Sequence, residues 1–249
     1  MFYDHVYLQI AQYAENVYFG KPCGLMDQMA SSVGNIITID FADPSAPIIE
    51  KVDFDFSAVG HALCIVDVGG NHADLTHEYA AIPEEMGAIA RQFGKTHLRD
   101  VDEAEFYKHL PQVRKAAGDR ACLRAMHFFE ENRRVAAQIE ALKNGDFERF
   151  LYYVNESGRS SWQYLQNVIP AGEKAHQEMA LALAVVSHLL AGRGACRVHG
   201  GGFAGTLLAF VPNDMLDAFR TGVDKTLGEG SCHTLSIRPE GGILLEELA

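Results

Sequence analysis

The chain has 249 residues, 48% of them hydrophobic and 22% charged, and carries a formal net charge of −12. That length supplies a sizeable core for one large or two small domains, while no apolar run approaches the length that spans a bilayer, which argues against a membrane protein. The acid excess argues against nonspecific nucleic-acid binding, because neutralising phosphates takes clustered Lys and Arg, and the five scattered cysteines offer no C-x-x-C pair for a disulfide framework or zinc knuckle.

Asp4 to Asn16 is expected to form a short helix with Val6, Ile10, Tyr13 and Ala14 on its apolar side. Nothing caps its start, so Met1 is expected to be a cut edge. Without a basic lead followed by an apolar block, no signal peptide is expected, and the cytoplasm is the expected compartment. After Pro22, the residues Leu25, Met26, Met29, Ala30 and Val33 recur at helical spacing and Gly34 stands as a C-terminal cap, which puts Asp27 in the first turn. "NIITIDF" (35–41) is rich in β-branched residues, Asp43 and Pro44 signal a turn, and Val52, Phe54 and Phe56 then alternate with charged neighbours, as in a half-buried hairpin. "HALCIVDV" (61–68) suits a buried strand closed by Gly69 and Gly70, and a new compact unit is expected to begin near Ser57 to Gly60.

Helical periodicity follows over Asp74 to Gly94 and Asp119 to Lys143, with further helices over Phe147 to Val154 and Gly172 to Ala191. The tail reverts to strands: "ACRV", a glycine turn, "AGTLLAFV", a helix at Asn213 to Leu227, and "CHTLSIRP". Strand, helices, two strands, helix, strand outlines an α+β layer with helices on one face of an antiparallel sheet.

Three constellations offer chemistry. In "RVHGGGFAGTLLAFVP", Gly200, Gly201, Gly202 and Gly205 are more glycines than a hairpin needs; they serve either a tight turn or the close approach of a ligand or second backbone. The segment lacks the Lys-Ser/Thr ending of a Walker loop and the strand-to-helix context of a dinucleotide fingerprint. Asp27 is either an acid favoured by the helix dipole or a carboxylate that takes a proton from a substrate hydroxyl. "VDVGGNHADLTHEYAAIP" leads from a strand into a helix through His72, Asp74, His77, Glu78 and Tyr79. The spacing of His72 and His77 does not put both on one helical face, so a solvated polar turn is preferred there to zinc, and Tyr79 reads locally as a core aromatic with a satisfied hydroxyl. His97, His109, His127 and His176 are expected to be structural or exposed. "NESGRSSWQYLQN" is hydroxyl-rich but contains no G-x-S-x-G elbow.

Taken together, "AENVYFGKPCGLMDQMASSVG", "GGNHADLTHEYAAIPEEM", "NESGRSS" and "RVHGGGFAGTLLAFVP" resemble, in order and spacing, the later part of galactokinases, a branch of the GHMP small-molecule kinase superfamily. The resemblance implies that residues 58–249 are the ferredoxin-like C-terminal domain and 1–57 the end of the N-terminal, ribosomal-protein-S5-like domain. It implies phosphoryl transfer from ATP, with Mg2+, to the anomeric hydroxyl of D-galactose. Asp27 matches the family's catalytic aspartate, Tyr79 a tyrosine that hydrogen-bonds the sugar, Gly24 a backbone position lining the sugar pocket, and Gly200, Gly201 and Gly202 a motif that shapes the cleft. Position 204 is Ala where many members have Gly.

The G-E-H-x-D-Y-type sugar motif and the P-x-G-x-G-L-S-S-S-A phosphate loop of the family do not occur in this sequence. With them go the expected ligands of Mg2+ and most of the nucleotide and sugar pockets. The isolated chain is therefore expected to be inactive, with self-association through the surface left by the missing half. The competing expectations are a non-catalytic sugar-binding regulator, a kinase for a related substrate such as N-acetylgalactosamine, arabinose or mevalonate, and a truncated remnant.

Overall fold

A computed structural model describes residues 5–20, 23–70 and 75–242. Asp4, His72 and Asp74, to which the sequence assigns helix starts and polar roles, lie outside the described residues. The chain divides into two compact units, Met1–Phe54 with Ser236–Ala249, and Asp55–Leu235.

In the first unit α1 (His5–Tyr13) runs on into a π-helical turn (Ala14–Tyr18), and α2 (Met26–Val33) follows. Its small core joins Leu8, Leu25 and Met29 to Ile39, Phe41 and Ile49. The expected apolar faces need correction: Ile10, Tyr13, Met26 and Ala30 are exposed. A core this small is filled by one line of side chains spaced four apart, Leu25, Met29 and Val33, so the flanking apolar positions stay outside. β1 (Ile36–Asp40) and β2 (Ile48–Val52) form a hairpin, antiparallel with Ile36 opposite Val52, but its second strand lies earlier than expected: Phe54 and Phe56 fall outside it, because the register that pairs Asp40 with Ile48 ends at Val52.

The chain returns to this unit after Leu235. The Arg238 carbonyl accepts the Asn35 N–H at 2.7 Å, and the Gly242 N–H donates to the Ser32 carbonyl at 2.9 Å. Gly34 ends α2 at φ +67, where a Cβ would fall 2.4 Å from the Glu240 carbonyl carbon, so both the backbone conformation and the close approach require glycine.

In the second unit β3 (His61–Asp67), β4 (Ala195–His199), β5 (Thr206–Pro212) and β6 (Cys232–Leu235) pair in the order β4-β5-β3-β6, every pair antiparallel. Leu207, Ala209 and Val211 alternate onto one face, as the period of a strand requires. There they meet Val186 and Met179 of α8 (Glu178–Leu190) and Phe219 and Val223 of α9 (Leu216–Leu227). This is the ferredoxin-like topology that the sequence outlines.

A second, helical core unites Ile89 of α3 (Thr76–Gln92), Phe106 of α4 (Glu103–Lys108), Val113 of α5 (Leu110–Ala117) and Phe129 of α6 (Asp119–Lys143). Both α4 and α5 escape the sequence reading, since neither is long enough to show a clear period; the usable signal was Asp102, whose carboxylate caps the Glu105 N–H at 2.9 Å. α8 starts later than expected because the Glu173 carboxylate takes the N–H groups of Lys174, Ala175 and His176 into a turn ahead of it.

α7 (Phe147–Ser160) continues past Val154 into a π-helical turn, Ser161–Leu165, and lies along the outer edge of β4. The hydroxyl-rich segment is explained by that packing. The Asn155 side chain donates to the Gly194 carbonyl and accepts the Cys196 N–H, both at 3.2 Å, and so satisfies strand-edge groups that would otherwise invite another chain. Gly158 leaves no room for a side chain, since a Cβ would stand 3.0 Å from the Cys196 carbonyl oxygen. Ser157 bonds Glu131 and Arg197, and Ser160 meets His127 Nδ1 at 2.9 Å.

His127 is buried, and that burial pushes its pKa down to about 4, against the pull of Glu131 and with the push of Arg134 and Arg197. A folded chain that resists protonation while the unfolded chain accepts it loses stability as pH falls from the ordinary histidine value of 6.5 toward 4. Denaturant unfolding is expected to show about 2 kcal/mol lost between roughly pH 7 and pH 5. His127→Gln should remove most of that slope; an equally steep slope in the variant would assign it elsewhere.

Candidate active-site residues

Asp27 lies exposed in the first turn of α2, where the helix dipole favours a carboxylate. The approach to that helix is fixed by Asn16, whose side chain pairs with both sides of Cys23: the Cys23 N–H donates to Asn16 Oδ1 at 2.6 Å, and Asn16 Nδ2 donates to the Cys23 carbonyl at 3.2 Å. Gln12 Nε2 donates to the same carbonyl. Gly24 is exposed, and a Cβ there would meet nothing within 4 Å, so its backbone stands open beside the helix start.

The second unit brings Tyr79 of α3 onto the glycine turn between β4 and β5. Its hydroxyl donates to the Gly202 carbonyl at 2.8 Å, and its ring stands edge to face against Phe203 at 5.5 Å and 81°. A Cβ on Gly201 would sit 2.8 Å from Tyr79 Cε1. Gly202 has φ +84, and a Cβ there would lie 2.1 Å from the Asn167 carbonyl oxygen. Gly200, at φ +72, has open space beside it. Of the two uses of glycine that the sequence left open, Gly201 and Gly202 serve the close approach of other protein groups, and Gly200 serves the backbone turn. Ala204 is accommodated by Gly70, where a Cβ would come within 2.9 Å of the alanine's own.

Behind the turn, α3 and α6 hold the irregular segment 165–171 at its two ends. Glu78, expected to be solvated, is 3% exposed, and its Oε1 accepts the Ala171 N–H at 2.6 Å. A carboxylate this deep needs such a partner. At the other end Arg124 Nε donates to the Leu165 carbonyl at 3.0 Å, while its Nη1 lies 2.9 Å from Glu85 Oε2. Arg124 is fully buried, and burial draws its guanidinium below the ordinary arginine value despite Glu85. Between these anchors sits Asn167, bonded through Nδ2 to the Gly201 carbonyl and through its own carbonyl to the Phe203 N–H.

No protein-family model matches the chain. Among curated proteins, a galactokinase from Glaesserella parasuis serovar 5 is 29% identical over 216 residues, and one from Actinobacillus pleuropneumoniae is 30% identical over 216, each match covering 85% of this chain. A galactokinase from Haemophilus influenzae (strain PittEE) is 30% identical over 215 residues and 84% of the chain. The chain is a relative of the galactokinases. It spans about half the length of these relatives, 52% in each case.

Solved structures agree on the fold of the galactokinase relatives. The crystal structure of Lactococcus lactis galactokinase complexed with galactose matches 94% of this chain and 59% of its own at 21% identity, with a TM-score of 0.71. L. major mevalonate kinase in complex with R-mevalonate matches 97% of this chain and 60% of its own at 17% identity, with a TM-score of 0.58. The chain shares its fold with these two kinases.

The sequence singles out Tyr79 and the glycines, which the structure brings together, but misses what holds them. Glu78 was visible beside Tyr79, and Asn167 ended the hydroxyl-rich segment; neither carries a local sign of burial. Arg124, buried, shares Glu85 with the partly exposed Arg120, and the only sequence signal of this ion cluster is charge on the inner side of an apolar helix.

Proposed function

We propose that this chain is the C-terminal portion of a galactokinase, an enzyme that phosphorylates the anomeric hydroxyl of D-galactose, and that alone it does not turn over. The observation that carries the reading is the match to curated galactokinases along 85% of the chain. In this reading Asp27 takes the proton from the anomeric hydroxyl, and Gly24 offers open backbone beside it. Tyr79, whose single phenolic proton goes to Gly202, meets a sugar hydroxyl as an acceptor.

In this reading the family's phosphate loop, with the Mg2+ ligands that accompany it, is not in this sequence. Among the described residues no group of three His, Cys, Asp or Glu side chains is arranged to hold a metal ion. Gly201 and Gly202 are occupied by the Tyr79 ring and Asn167, so they make no phosphate cradle. We therefore assign nucleotide binding to the part of the relatives' length that this chain does not span, and attribute no step to it here. Ile10, Tyr13, Val17, Tyr18 and Phe19 are exposed in the first unit and are the proposed basis of self-association.

The test is a coupled assay with ATP, Mg2+ and galactose on the 249-residue chain. No galactose 1-phosphate above background is expected, in keeping with the reliance of phosphoryl transfer on positioning. Turnover that Asp27→Ala abolishes would refute the inactivity while supporting the base assignment. Galactose binding by calorimetry, without turnover, would favour a sugar-binding regulator.

A further inference from the structure

The turn that meets Tyr79 is held in a conformation it would not adopt unaided. Phe203 has φ 59, in the left-handed region that bulky side chains rarely enter unless their surroundings hold them there. Two groups hold it. The Asn167 carbonyl accepts its N–H at 2.6 Å, and the Tyr79 ring packs on its own ring.

We propose that Asn167 is a positioning residue, which registers the 200–203 turn against Tyr79 and so sets the direction in which the phenol faces a substrate. The proposal rests on the reading of Tyr79 as a sugar contact. Asn167 is 2% exposed, and its Nδ2 donates to the Gly201 carbonyl at 3.2 Å. Its backbone fills the space that a Cβ on Gly202 would need. Its Oδ1 is buried with no hydrogen bond among the described residues. Burying an amide oxygen without a partner is costly, so a site that only needed filling would be better served by leucine. Asn167 contributes the donor and the carbonyl at once.

Asn167 is itself immobilised from two helices, α6 and α3. Arg124 fixes the Leu165 carbonyl two residues before it, and Glu78 fixes the Ala171 N–H four residues after it. Gln166, at φ 57, reverses the chain between those anchors. Since Tyr79 follows Glu78 directly on α3, the ring and one of the two anchors of this segment share a helix.

The experiment uses the 249-residue chain with ring-labelled tyrosine, the Tyr79 signal being assigned through Tyr79→Phe. Asn167→Leu keeps the volume and removes the donor. The Phe203 amide is expected to exchange about ten-fold faster, the share of one lost hydrogen bond, and the Tyr79 signal to move toward that of solvated tyrosine. Protection in β3 and β5 should change by less than about two-fold, as befits a local opening. An unmoved Tyr79 signal, or a uniform loss of protection across the sheet, would overturn the assignment.

Should the leucine variant not fold, Gly201→Ala decides the matter from the other side. Its Cβ must displace the Tyr79 ring while Asn167 stays in place, so the Tyr79 signal should shift with Phe203 exchange unchanged. If Tyr79 is unaffected, the turn does not set the ring and the proposal fails. Neither readout needs sugar or nucleotide. Adding galactose to the unaltered chain tests the sugar contact separately, and its failure would leave the positioning result standing.

Discussion

Replacing Glu85 with leucine is expected to destabilise the second unit by about 3 kcal/mol. Arg124 is fully buried, and Glu85 is the acid beside its guanidinium. Without Glu85 the positive charge stays in the interior with only the weaker pull of Glu78 to offset it, which is the costly way to break a buried pair. The low end of the usual range applies because the Glu85 side chain is itself 22% exposed. Arg124→Met together with Glu85→Leu should return the unit to within about 1 kcal/mol of wild type, the remaining loss being the hydrogen bond to the Leu165 carbonyl. Trp162, the only tryptophan, lies in this unit and reports its unfolding by fluorescence in urea. A double variant as unstable as the single one would mean that the pair stabilises by packing rather than by charge.

Gly202→Ala is expected to cost on the order of 3 kcal/mol, and Gly200→Ala about 1 kcal/mol, although both replace a glycine of the same turn. Both residues have positive φ, so each alanine incurs a similar backbone strain. Only at Gly202 is that strain joined by a clash, 2.1 Å to the Asn167 carbonyl oxygen, with backbone that is held on both sides. A flexible side-chain end would yield; this carbonyl is bonded to Phe203 and does not. Urea midpoints of the two variants compared side by side give the answer. Equal shifts would show that positive φ, and not the approach of Asn167, accounts for the glycine.

The strands of the second unit, β1 and the limits of α6 were legible because each rests on local periodicity or on a cap within a few residues; β2 was misplaced by the alternation of Val52, Phe54 and Phe56. The position of Asp27 in a first turn was legible for the same reason, although its proposed role entered only through resemblance. Glu78 was not legible. It stands between the exposed His77 and the half-buried Tyr79, and what makes it an interior group is an N–H 93 residues later. The glycines at 200–202 were conspicuous, yet the partner that forces each of them is distant in sequence. Asn167 and Arg124 share that difficulty: their environment is assembled from segments that no window of sequence contains together. The apolar faces of α1 and α2 misled because periodicity shows which residues can be buried, and the size of the available core decides how many are.

The return of the chain after Leu235 bears on the order of folding. The bond between Asn35 and Arg238 closes a loop of roughly 200 residues, an entropic cost that an unfolded chain meets before gaining much in return. Yet the strands by which the chain enters and leaves the second unit are neighbours, with Leu63 opposite Leu235. Once that sheet forms, the two ends are already together and the long loop has become a short one. The second unit is thus expected to fold first and to act as the clasp that lets the two pieces of the first unit find each other.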